Sequence, residues 1–86
     1  MSGAHPPLHY KDVVRALKAL GFAPQPQRAT SHEHWTKDVL DSKGRRVGRL
    51  KVTVDKPKQP FHHDLISSMA KQADVPKKRF YELARG

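Results

Sequence analysis

The chain contains no cysteine, which rules out a disulfide framework and every thiolate-based zinc site. It also contains no apolar run approaching the ~20 residues that a membrane-spanning helix needs. Its opening, MSGAHPPLHY, lacks the apolar stretch of a signal peptide, so the expectation is a cytoplasmic protein with no membrane partner. Aromatic residues are few, three Phe, two Tyr and one Trp, and a chain of 86 residues hides only roughly 60–65 % of its unfolded surface on folding. That leaves material for two helices on one sheet and little to wall a deep pocket, so no small-molecule cofactor is expected. Acidic residues are scarce as well. Eight Asp and Glu face seventeen Lys and Arg, a formal net charge of +9, the balance of a protein that meets a polyphosphate. A solvated basic face or an acidic protein partner accounts for the same charge.

What is present divides by period. Residues 1–8 read as a flexible N-terminal arm, and residues 9–86 as a single domain. Tyr10, Val13, Val14, Leu17 and Leu20 recur on one helix face, with Gly21 placed to end the helix in a left-handed conformation and Phe22 to fold back on it. Pro24 and Pro26 confine the next stretch to an edge strand or an extended connection. From Ser31 the period becomes two: Glu33, Trp35, Lys37 and Val39 form the buried face, and His32, His34, Thr36 and Asp38 the open one. The turn DSKG leads into a return strand with Leu50, Val52 and Val54 inward, Arg49, Lys51 and Thr53 outward, and Gly48 at a bulge. A second helix is expected from about Phe61 to Ala73, and a short closing turn or two after Pro76. The class is α+β, with a small antiparallel sheet.

Two clusters carry chemistry. His32 and His34 share the open face at alternate positions, where Cα atoms stand roughly 6.5–7 Å apart and a phosphate fits between. Between Lys43 and Lys58 lie seven cations against the single acid Asp55. Of these, Arg45, Arg46, Arg49, Lys51, Lys56 and Lys58 are candidates for holding a phosphate backbone, and Arg49 and Lys51 fall on the histidine face if the strands pair as a hairpin. His62 and His63 open the second helix and read as polar cap residues. A three-imidazole zinc site is the other reading of the histidines, but no carboxylate is spaced to complete a known motif and no metal is expected.

The run VVRALKALGF, then Ser31-His32-x-x-Trp35, a hairpin, VTV and a helix ending in MAKQADVPKKRF resemble the HicA toxins of bacterial toxin–antitoxin pairs over residues 9–80. The resemblance implies an α-β-β-β-α fold similar to the double-stranded RNA-binding domain, with its helices on one face of the sheet. It implies an mRNA interferase silenced by a HicB-like antitoxin. The family's catalytic histidine lies in Gly-Ser-His-x-x-(Phe/Tyr/Trp), which assigns that role to His32, with Ser31 and His34 as accessory candidates. Two positions depart from the pattern: Thr30 replaces the glycine, and Asp55 stands where a second histidine is often found. RNA brings its own nucleophile, the 2′-hydroxyl, so a base or acid and a few cations suffice for metal-independent cleavage. The departures keep open a non-catalytic RNA-binding module of the same fold, and the charge keeps open an interaction protein covered by an acidic partner.

Overall fold

A computed structural model describes residues 6–26 and 32–86. Helix α1 (Tyr10–Ala19) begins where the Asp12 carboxylate accepts the backbone N–H of His9 at 3.0 Å, which satisfies one of the orphan donors of the first turn. It ends as its glycine dictates. Gly21, at φ 92°, donates to the Lys18 carbonyl, and Phe22 donates to the Leu17 carbonyl, the paired bonds of a Schellman motif. Phe22 is thereby turned into the core.

Three strands follow in the order β1 (Ala23–Pro24), β2 (His32–Leu40), β3 (Arg46–Asp55), all antiparallel. Asp41 builds the β2–β3 turn. Its side chain accepts the N–H groups of Lys43 and Arg45 at 2.8 and 2.9 Å, and Gly44 takes φ 81°. The register pairs Trp35 with Val52 and Glu33 with Val54 on the inner face, and the pairing steps between Val39↔Gly48 and Leu40↔Arg46. Val47 is therefore the extra residue of a bulge, just before Gly48.

After β3 comes one 3₁₀ turn, Lys56–Lys58, and then α2 (His63–Gln72) and α3 (Lys77–Arg85). Three expectations need correction. Helix α2 starts two residues later than its periodicity indicates, because Phe61 is extended and exchanges both backbone bonds with Leu8, at 3.0 and 2.7 Å. Leu8 is accordingly no part of a loose arm: it is 3 % exposed and packs in the core. The closing segment is a full helix of nine residues, with Pro76 as its N-cap, because Phe80, Tyr81 and Ala84 all bury, and α3 packs along α1. The core joins Val13, Ala16 and Leu17 of α1 to Trp35, Val52 and Val54 of the sheet and to Ile66, Met69 and Phe80 of the later helices. The order is α-β-β-β-α plus a third helix, an α+β fold consistent with a double-stranded-RNA-binding-domain-like architecture. No helix among the described residues is long and apolar enough to cross a membrane.

Helix α2 ends with the same paired bonds as α1, Asp74 N–H to Lys71 and Val75 N–H to Ala70, but the left-handed position holds Asp74 at φ 61°. The two caps predict opposite signs. Asp74→Gly removes a Cβ from left-handed backbone and is expected to stabilise by a few tenths to about 1 kcal/mol, whereas Gly21→Ala is expected to cost about 1 kcal/mol or more. Thermal melts of the two variants beside the parent check this.

Candidate functional site

The inner face of β2 anchors the strand through one carboxylate. Glu33 Oε1 accepts the Trp35 indole N–H at 2.6 Å and the Tyr10 hydroxyl at 2.5 Å, and the Tyr10 backbone N–H is taken by the Gln59 side chain at 2.8 Å. Trp35 is 2 % exposed. Burial and the Glu33 charge push the Tyr10 hydroxyl up to about 12, since both disfavour a phenolate. With β2 held this way, its other face has no choice of residues: His32, His34, Thr36 and Asp38 point to the opposite side.

Across from them the register sets Asp55, Thr53, Lys51 and Arg49 in that order. The result is a ladder of complementary pairs. His32 Nδ1 lies 3.8 Å from Asp55 Oδ2, and Lys58 Nζ lies 3.8 Å from the same oxygen. His34 Nδ1 meets the Thr53 hydroxyl at 3.2 Å. The Arg49 guanidinium donates to Asp38 at 3.2 Å, and Arg46 reaches the same carboxylate oxygen at 3.8 Å. Thr36, opposite Lys51, accepts the Gln25 amide at 2.7 Å.

The sequence candidates thus separate. His32, His34, Arg49 and Lys51 come together on one face, and Lys58 joins them from the 3₁₀ turn. Arg45 and Arg46 sit at the hairpin tip, and Arg45 is drawn to Asp41 at 3.5 Å. Strand length puts Leu40, at that end, roughly 26 Å from His32, so the tip and the histidines do not hold the same phosphate. Lys56 is elsewhere. Its ammonium stands 4.8 Å over the Tyr10 ring, toward the helices, a cation–π contact that takes it off the open face. Ser31 and Thr30 lie outside the described residues. His62 occupies the N-cap position of α2 without a side-chain capping bond, and His63 meets the neighbouring Asp64 at 2.9 Å. Among the described residues no three His, Asp or Glu side chains gather as a metal-ligand group.

Beside His32 a recess of about 230 Å³ opens between the end of β3 and α2. Phe61 and Met69 are its floor, Leu65 and Ser68 its rim, and Gln72 ties α2 to the strand by accepting the Thr53 backbone N–H at 3.0 Å. Leu65 was legible only as one more apolar position of the helix, and Gln72 and Ser68 as polar surface; what brings them to the histidine is the placement of α2 along the strand edge, which no local pattern encodes.

The family model described as HicA toxin of bacterial toxin-antitoxin matches residues 10–75. Comparisons with curated proteins and with solved structures gave no match.

The Glu33 anchor makes a prediction about alkaline pH. A hydroxyl whose folded pKa lies above its unfolded value of about 10 contributes stability that is whole below pH ~10 and is lost as pH rises toward 12. Ultraviolet difference titration should show one tyrosine ionising near 12. Glu33→Gln should bring that transition down only in part, since burial is the larger cause of the shift, and Tyr10→Phe should abolish it.

Proposed function

The chain belongs to the HicA toxin family, and from that premise we propose that it is an endoribonuclease that cuts mRNA at the open face of its sheet, with His32 as the catalytic residue. The observation that carries the reading is the cross-strand pair of His32 and Asp55, with Nδ1 facing Oδ2 at 3.8 Å. The distance is longer than a hydrogen bond, and such contacts tighten when substrate binds. Asp55 then takes the part of a positioning residue. A carboxylate on the Nδ1 side directs the other ring nitrogen, Nε2, outward to exchange a proton with the RNA. Imidazole titrates near neutral pH as a side-chain type, so it serves either as the base that takes the 2′-hydroxyl proton or as the acid that protonates the departing 5′-oxygen.

In the first step the 2′-oxygen attacks the adjacent phosphorus and the 5′-oxygen leaves, which gives a 2′,3′-cyclic phosphate and a 5′-hydroxyl. Negative charge grows on the phosphoryl oxygens as the fifth bond forms. Lys58 and Lys51 are the cations close enough to the histidines to offset it, and Arg49 and Arg46, already shared with Asp38, hold the chain further along. His34, bonded to Thr53, lines the path between them. Ser31 precedes His32 in the chain and retains the accessory role that the family motif suggests. The same positive face is the surface that a HicB-like antitoxin would cover, with acidic groups meeting Lys51 and Lys58. Cytoplasmic action on mRNA follows from the same reading.

A non-catalytic RNA-binding module is the second reading, favoured by Asp55 in place of a histidine. The variants separate them. His32→Ala should fold and bind RNA as the parent does while cleavage falls by ~10²-fold or more; equal cleavage by this variant would remove His32 from the mechanism. Asp55→Asn should lower kcat without raising KM, because it removes a negative charge beside the phosphate.

Cleavage should survive EDTA and leave a cyclic or 3′-phosphate end, since the nucleophile belongs to the RNA; loss on chelation with recovery on added zinc would point to metal hydrolysis instead. Affinity should fall as salt rises, with about 0.7 counterions released per phosphate neutralised on a single strand. Replacing Arg49 and Lys51 with Ala together should flatten that dependence for every RNA sequence tested.

A further inference from the structure

We propose that the recess between β3 and α2 seats one unpaired base of the RNA beside the phosphate at His32, with Leu65 and Met69 against the ring and the Gln72 amide reading its edge. The inference builds on the endoribonuclease reading only in taking the RNA to pass His32. The recess holds about 230 Å³, below the roughly 300–1,000 Å³ of pockets for drug-sized ligands. That is room for one heteroaromatic ring system and not for a stacked pair.

Its chemistry is that of a base site. The floor is apolar, and Leu65, 37 % exposed, is the one large apolar side chain of α2 left in water, at the mouth of this recess. A lone exposed leucine needs no explanation, but a leucine at the rim of an apolar-floored recess beside cations presents a surface on which a flat ring loses water. Polarity is confined to the edge. Gln72 Oε1 accepts the Thr53 N–H at 3.0 Å, which fixes the amide orientation. Its NH2 then offers two donors to a ring carbonyl or ring nitrogen, and the Ser68 hydroxyl stands at the same rim. Lys58 and His32 close the other end, where the phosphate of the same nucleotide belongs.

A base within a duplex has both faces stacked and its pairing edge used, so it cannot enter. The recess therefore selects single-stranded RNA, although a fold of this kind is associated with reading the shape of a duplex.

The test uses the full chain with His32→Ala, so that RNA is bound and not cut, and a short single-stranded RNA with an abasic ribose at each position in turn. One position should lower affinity by on the order of 5–10-fold, the weaker end of base stacking on protein because no aromatic face is exposed here. Adding Leu65→Ala should flatten that profile. Gln72→Glu keeps an acceptor for Thr53 but replaces the two donors, and on the His32-intact chain it should shift which base flanks the cut; melting temperature confirms that both variants fold. An abasic profile that is flat from the start, with RNA still cut by the His32-intact chain, overturns the base site and leaves the endoribonuclease standing. A position-sensitive profile with no cleavage by that chain keeps the base site and overturns the endoribonuclease. Failure to bind the single strand at all overturns both.

Discussion

Everything on the open face depends on which way β2 is turned, and that is decided on its hidden side by Glu33. One carboxylate oxygen takes donors from Trp35 and from Tyr10 at the start of α1, so helix, strand and indole are tied at one point. A slip of one residue would carry Trp35 into water and bring His32 and His34 against the core. The indole alone resists that by hydrophobic burial, about 3–5 kcal/mol on the scale of Trp-to-Ala losses. The carboxylate adds direction, because an unpaired polar group there would lose its hydrogen bonds as well as its place. The outward-facing histidines are thus a consequence of inward-facing chemistry two atoms of backbone away.

The bulge at Val47 does for the arginines what the anchor does for the histidines. Strict alternation from Arg49, Lys51 and Thr53 would give Arg46 to the inner face. The extra residue restores it to the open side opposite Leu40, where it and Arg49 converge on Asp38. Two guanidinium groups on one carboxylate keep a net positive charge in a defined position, and exposed pairs of this sort contribute little to stability. Their value lies in placement.

Much of the fold is legible wherever period and punctuation agree. Tyr10 to Leu20 keep helical spacing and Gly21 stops them; His32 to Val39 alternate and Trp35 says which side is buried; Asp41 and Gly44 write the turn. Legibility fails where a distant partner decides. Phe61 has helical neighbours and is nonetheless extended because Leu8 pairs with it. α3 is longer than its few apolar residues indicate because α1 offers a face for Phe80, Tyr81 and Ala84. At the site, the shared face of His32, Arg49 and Lys51 follows from alternation plus a hairpin. The closeness of Asp55 needs the register, Lys56 turns away because of Tyr10, and the recess needs α2 to lie along β3; all three are tertiary facts.

The sheet also has two borders, and among the described residues each carries a feature that hinders a foreign strand. Gln25 donates inward to His34, so on β1 the neighbouring Pro24 turns its nitrogen outward and presents no donor there. On β3 the outward N–H of Thr53 is already occupied by Gln72, and Arg49 and Lys51 place charge along the remainder of that border. A chain stripped of any protein covering its cationic face would thus meet a foreign strand with a missing donor at Pro24 on one border and with repelling charge at Arg49 and Lys51 on the other.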